Sequence, residues 1–218
     1  MAFTYNSSSK VTGLSTANPV SFSFTAGTNS RLVVLALPCF TNVSTGTSGT
    51  PTYNGNNMIR VGSYASSAEG STDIWYYLAP DAGIARTISI PNVSAYSFRY
   101  ACIDFTNATM GAEYFNLSTA SDGSGADVVG SIASVPDGSA VVSCMVHGEK
   151  DQFASVSGCT TLLTTPSVDE GSTQTGAAYS IQAGTGTATH TYTSGGTADD
   201  YNYVMGAWKE VAATSFSP

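Results

Sequence analysis

Val20-Ser21-Phe22-Ser23-Phe24-Thr25 alternates apolar and hydroxylated residues one by one. Successive side chains of a strand point to opposite faces, so this stretch has an apolar face and a wet one. Shortly after it, Arg31-Leu32-Val33-Val34-Leu35-Ala36-Leu37-Pro38-Cys39-Phe40 abandons the alternation. A short run that is apolar at nearly every position fits a central strand covered on both faces. Working outward, the period of two predicts strands over 72–78, 85–90, 97–105, 126–135, 139–146, 175–182, 188–193 and 201–211. Asn54-Gly55-Asn56-Asn57 lies between strand-like 51–54 and 58–64. Asn-Gly tolerates positive φ, so this reads as a β-hairpin. Ala79-Pro80-Asp81-Ala82-Gly83 is a strong turn signal. No segment keeps an apolar stripe at helical spacing for three turns.

The pattern repeats within the chain. Residues 31–40 are echoed by 139–148, and 72–105 by 175–208. Tyr76 matches Tyr179, Gly83 matches Gly186 and Phe105 matches Trp208, each pair 103 residues apart. A solenoid needs three or more repeats. Two similar Greek-key halves packed face to face make a jelly roll, so the expected architecture is an all-β, antiparallel jelly-roll β-sandwich. Residues 1–218 are expected to form a single domain, with an N-terminal strand and arm over 1–17 and a C-terminal tail over 212–218. The alternative is two tandem sandwiches of about 105 residues each; few large apolar residues in the second half would leave it poorly stabilised alone.

Composition removes several functional classes. Charged residues are 10% of the chain, against about a quarter in ordinary soluble domains. Fifteen acidic and seven basic side chains give a net charge of -8. There are 31 Ser, 28 Thr and 22 Gly, so 81 of 218 residues are small and polar or bare. Coiled coils and bundles need Ala, Glu, Lys, Leu and Arg in bulk. Nucleic-acid binding needs a basic stripe that seven scattered Lys and Arg do not supply. At 42% hydrophobic and 11% aromatic, the chain has enough apolar surface for a core, which excludes disorder. Met1-Ala2-Phe3-Thr4-Tyr5-Asn6 has neither the basic nor the apolar region of a signal peptide. The longest apolar run, Leu32 to Leu37, is too short to cross a bilayer. The expectation is a chain made in a cytosol, with no membrane and no nucleic-acid partner.

The residues that could carry chemistry are scattered. Cys39, Cys102, Cys144 and Cys159 are too far apart in sequence for a metal knuckle or redox pair, and three sit in apolar runs as small hydrophobes. His147 and His190 lie in or beside strands without partners at ligand spacing. No Gly-X-Ser-X-Gly elbow opens a helix. Asp122-Gly123-Ser124-Gly125 and Asp199-Asp200 look like fragments of calcium loops without the full set of spaced oxygens. Glu149-Lys150-Asp151 reads as a solvated loop. No catalytic residue, cofactor site or metal site is therefore expected. Trp75-Tyr76-Tyr77 must point to alternate sides of a strand. Trp75 and Tyr77 are either core under a cover or a surface for sugar stacking or protein contact. Tyr201 and Tyr203 share one face of their strand, and Asn202 takes the other.

The first half also carries a family likeness. Asn29-Ser30-Arg31-Leu32-Val33-Val34 is followed by Tyr53-Asn54-Gly55-Asn56-Asn57-Met58 and Arg60-Val61-Gly62-Ser63. Ile74-Trp75-Tyr76-Tyr77-Leu78-Ala79-Pro80-Asp81-Ala82-Gly83 comes next, then Thr87-Ile88-Ser89-Ile90 and Ala101-Cys102-Ile103-Asp104-Phe105. Ser139-Ala140-Val141-Val142 and Val204-Met205-Gly206-Ala207-Trp208 close the series. This order resembles a jelly-roll module of tailed-phage structural proteins and bacterial surface proteins, over residues 2–211. The sequence departs from that pattern at Phe105-Thr106-Asn107-Ala108, where the module has a Gly-Val. The resemblance implies display without catalysis: a capsid decoration (cement) protein on a virion, made in host cytoplasm and bound to a phage major capsid protein. Self-association as a trimer would suit local three-fold sites of a capsid. The competing expectation is a carbohydrate- or receptor-binding module of a fibre.

Overall fold

The computed structural model describes residues 2–15, 17–39, 49–66, 70–91, 98–107, 110–125, 127–147, 153–166, 174–194 and 199–212. Its first half contains β1 (Thr4–Tyr5), β2 (Val11–Ser15), β3 (Val20–Thr25), β4 (Ser30–Cys39) and β5 (Thr52–Tyr53). These are followed by β6 (Asn56–Asn57), β7 (Ile59–Ser66), β8 (Gly70–Leu78), β9 (Ala85–Ile90) and β10 (Phe98–Thr106). The second half contains β11 (Met110–Gly125), β12 (Asp127–Val135), β13 (Ala140–His147) and β14 (Phe153–Ser157). It continues with β15 (Thr160–Pro166), β16 (Gln174–Ile181), β17 (Gly186–Ser194) and β18 (Asp199–Ala212). Every pairing among the described residues is antiparallel. Among the described residues one short 3-10 turn, Ser7–Ser9, interrupts the strands.

The expected single pair of sheets is two pairs. β4 explains why. Leu32, Val34 and Ala36 belong to one buried cluster, Val33, Leu35 and Leu37 to another. A strand apolar on both faces demands cover on both, and each large side chain so covered contributes about 1.5–3 kcal/mol. β13 repeats this, with Ala140, Val142 and Cys144 on one side and Val141 and Met145 on the other. The first half forms an inner sheet β1-β10-β4-β8-β7, with β2 also on β10, and an outer sheet β3-β9-β5-β6. The second forms an inner sheet β11-β18-β13-β16-β15 and an outer sheet β12-β17-β14. The inner sheets face each other across a central core that includes Phe105, Ile103, Tyr76 and Trp208. Each outer sheet closes a further core on the far side. The order is therefore four β layers, outer, inner, inner, outer.

The internal repeat extends to the register. Leu35 lies opposite Cys102 and Trp75. Ser143 lies opposite Met205 and Ala178 in the same way. Val34 faces Tyr76 as Val142 faces Tyr179, and Leu32 faces Phe105 as Ala140 faces Trp208. The Tyr76/Tyr179 and Phe105/Trp208 matches are thus spatial equivalents. The turn glycine matching Gly83 (φ 71°) is Gly184 (φ 72°) rather than Gly186, which already belongs to β17. The second half makes up for its few large aliphatics with Met145, Met205, Tyr192 and Tyr203 in its outer core.

The Asn54-Gly55 hairpin forms with both φ angles positive, 50° and 80°. Asn56 and Asn57 pair with β5 rather than belonging to the turn. After Met58 the chain enters the inner sheet as β7, so this segment passes between layers. The halves are also tied by hydrogen bonds between them. Phe3 N–H donates to the Gly138 carbonyl at 3.0 Å, and Asn202 Nδ2 donates to the Gly70 carbonyl at 3.2 Å.

Candidate functional site

Trp75 and Tyr77, the residues singled out for sugar stacking or protein contact, both point into the first outer core. Trp75 is 6% exposed, and the Arg60 guanidinium lies over its ring at 5.2 Å. Arg60 is held there by Asp73, which accepts from its Nε at 2.9 Å. Trp75 therefore offers no open face to a sugar. Tyr77 is half-buried and stacks on Tyr53 at 4.7 Å. Tyr201 and Tyr203 stack at 6.5 Å against the other outer core. Cys102 and Cys144 are buried thiols; burial, then Asp104 nearby, pushes the Cys102 thiol well up. Cys159 is half-buried, and its thiol is raised to about 11 by burial. Asp122-Gly123-Ser124-Gly125 is not a loop: it is the end of β11, paired with the start of β18 at Asp199 and Tyr201. Glu149-Lys150-Asp151 and the Cys39 side chain lie outside the described residues. No three His, Cys, Asp or Glu side chains converge as a metal site among the described residues.

Each half serves as a control for the other. Where one core is apolar and the equivalent position in the other is polar, the fold does not require the polar group. Two such departures stand out.

The first lies between the second inner and outer sheets. Ser143 Oγ is 2.7 Å from His190 Nδ1, and Ser180 Oγ is 2.8 Å from His190 Nε2. Ser143 Oγ is also 2.7 Å from the Tyr192 hydroxyl. In the first half the matching positions are Leu35, Tyr77, Ile88 and Ile90: Gly130 faces His190 as Phe22 faces Ile88. A serine on a histidine that is oriented by a third group is the arrangement of an activated nucleophile. Here the ring has no exposed surface, and both nitrogens are engaged. Burial lowers its pKa to about 4, so it is neutral at pH 7. The network binds β13, β16 and β17 together across the two layers.

The second departure is Asp104 on β10. It is 0% exposed, and its equivalent, facing Val141 as Asp104 faces Val33, is Ala207. Asp104 Oδ2 accepts from the Gly27 N–H at 2.9 Å, and Oδ1 has no partner. Gly27 and Asn6 line a cavity of about 480 Å³ at the end of the first sandwich. Its wall also includes Thr4, Tyr5, Thr25 and Thr28. Asn6 folds over Gly27 so closely that a Cβ on Gly27 would collide with its amide. That amide donates to Ser9 Oγ at 2.5 Å, while Asn6 Oδ1 accepts from the Ser8 hydroxyl at 2.7 Å.

The chain matches no family model, no curated protein and no solved structure. Function therefore has to be argued from these sites and from the architecture. A period of two puts Asp104 and Cys102 on one face of their strand without telling what the carboxylate meets there. The signal available was the mismatch between Asp104 and Ala207 within the repeat.

Proposed function

We propose that this protein is a non-enzymatic structural protein of a virion, a capsid decoration (cement) unit bound to the lattice of a phage major capsid protein. The observation that carries this reading is the duplicated strand plan, back to back on one shared apolar core. It makes a rigid body whose described charged groups are few. Hydroxyl and backbone groups desolvate more cheaply than charges, which suits a broad polar contact repeated over many copies.

Each half is read as a jelly roll. Taking β1 with β2, and β6 with β7, as one strand each, both halves have eight strands among the described residues. In both, the inner sheet runs first, eighth, third, sixth, fifth, and the outer sheet second, seventh, fourth. That order interleaves the strands as two Greek keys do. Exposed edge strands need cover, and a trimer on a local three-fold site would supply it. Particles purified to homogeneity are the test. The protein should be found on them at a fixed copy number per capsid subunit; its confinement to infected-cell extract would overturn the reading.

A further inference from the structure

We propose that Asn54 is a self-modifying site: with Gly55 it converts to aspartate and isoaspartate, at a rate set by how often the edge strand β6 lifts from β5. This goes beyond the display role and does not depend on it.

Of the eleven asparagines in the chain, Asn54 alone precedes a glycine. The reaction requires the next backbone nitrogen to reach the side-chain amide carbon, and glycine has no Cβ to stand in the way. Asn54 and Gly55 are exposed, and nothing lies within 4 Å of the place a Cβ on Gly55 would take. No hydrogen bond to a described residue holds the Gly55 N–H. The Asp137-Gly138 turn between β12 and β13 is the contrast. There the Gly138 N–H donates to the Gln182 carbonyl at 2.8 Å, and Asp137 Oδ1 accepts from the Gly184 N–H at 2.6 Å. Both reacting groups of that pair are engaged.

The Gly55 nitrogen attacks Asn54 Cγ and gives up its proton. The bond from Cγ to the amide nitrogen breaks, and that nitrogen leaves as ammonia. Water opens the resulting five-membered succinimide at the side-chain carbonyl to aspartate, or at the main-chain carbonyl to isoaspartate. One water is consumed and one ammonia released, with nothing oxidised or reduced.

The hairpin holds this reaction back. Asn54 has φ 50°. The left-handed conformation sets Cβ beside the carbonyl oxygen that follows it, and so opposite the Gly55 nitrogen. The ring closes only when Asn54 leaves that conformation. One arm of the hairpin is fixed: the Asn54 N–H donates to the Thr87 carbonyl at 2.8 Å, and Thr52 and Tyr53 pair with β9. The other arm, β6, is two exposed residues at the end of its sheet, paired with β5. Met58 anchors it from beyond, buried in the first outer core with its N–H on the Pro51 carbonyl at 2.9 Å. Lifting β6 is therefore a local opening. Isoaspartate adds a methylene to the backbone of a two-residue loop, so Tyr53 no longer closes opposite Asn56.

The experiment incubates the full chain at pH 8, folded and in guanidinium chloride. Tryptic peptides are followed by mass spectrometry, and isoaspartate is scored by enzymatic methylation. Asn54 should convert ahead of every other asparagine, and tenfold to a hundredfold more slowly in the folded chain. Met58→Ala removes the anchor without touching the reacting pair and should speed conversion of the folded chain threefold or more. Ile132→Ala, a comparable loss in the second outer core, should leave that rate unchanged. Gly55→Ala should suppress conversion in denaturant, where the strain of the turn plays no part. If Met58→Ala fails to fold, the comparison of folded with unfolded chain and Gly55→Ala decide. The proposal fails if another asparagine leads, if the two rates do not differ by tenfold, or if the folded chain shows no conversion after a hundred half-lives of the unfolded one. It also fails if folded Met58→Ala converts at the parent rate, or if Ile132→Ala speeds conversion as much.

Discussion

At position 190 the second outer core holds an imidazole where the first holds Ile88, and the exchange makes stability depend on pH. His190 is fully buried with both nitrogens hydrogen-bonded to serines, and burial lowers its pKa from 6.5 to about 4. Between those two values the unfolded chain binds a proton that the folded chain refuses. Stability therefore falls as pH drops from about 6.5 to about 4, and levels off below the folded pKa. The full loss is on the order of 3 kcal/mol, from about 1.4 kcal/mol per pKa unit. Urea midpoints at pH 7, 5 and 4 should fall steadily in the parent. In His190→Gln they should fall less by that amount, because the amide keeps hydrogen bonds to the serines but does not titrate; parallel curves for the two proteins would refute the assignment. The sequence made His190 legible as a strand residue and no more. Alternation says that a side chain points inward, not what it meets there. For Asp104 it said less, since β10 is covered on both faces and neither could be read as the wet one.

Turns between the strands show how the same residue type answers to different constraints. Gly184 has φ 72° with nothing near the place a Cβ would occupy, whereas Gly158, φ 73°, would drive a Cβ into the Thr189 carbonyl oxygen. Gly184→Ala should cost about 1–2 kcal/mol, the penalty of the left-handed region alone. Gly158→Ala meets backbone that cannot move aside, and its loss should be larger, roughly 3 kcal/mol or more. Thermal unfolding of the two variants side by side checks this; equal losses would mean that the loop after β14 yields. Strands with clean alternation, such as Val20–Thr25 and Ala85–Ile90, were legible to the residue. β11 was not. Its Met-Gly-Ala-Glu start and Asp-Gly-Ser-Gly end carry turn signals, and its length comes from backbone pairing with β18, irregular at two places along the ladder. β14 and β15 escaped for a related reason: they are short edge strands with mixed polarity, defined by the partner they border.

For the whole molecule, the number of layers was the feature that alternation could not give. Two sheets or four present the same inward period; the difference lies in whether the second face of β4 and of β13 meets water or another sheet. The continuous apolar run of Leu32 to Leu37 already argued for double cover, and the answer is a central core that neither half completes alone. Leu32, Val34 and Phe105 from one side meet Val142, Val204 and Trp208 from the other, all at 0% exposure. Separating the halves would bare this surface at about 25 cal/mol per Å², so they should unfold together. The two tryptophans are placed to test this. Trp75 reports the outer core of the first half, and Trp208 reports the centre. Trp208→Phe leaves Trp75 as the probe; Trp75→Phe leaves Trp208. In each variant the fluorescence transition in urea should coincide with the loss of far-ultraviolet circular dichroism, as a two-state transition requires. Trp208→Ala should lower stability by about 3–5 kcal/mol, the cost of emptying a large buried aromatic site. Because the core is shared, amide exchange should then quicken in β4 as well as in β13. Fluorescence and dichroism transitions that separate, or faster exchange confined to the second half, would show that the four layers are two independent pairs.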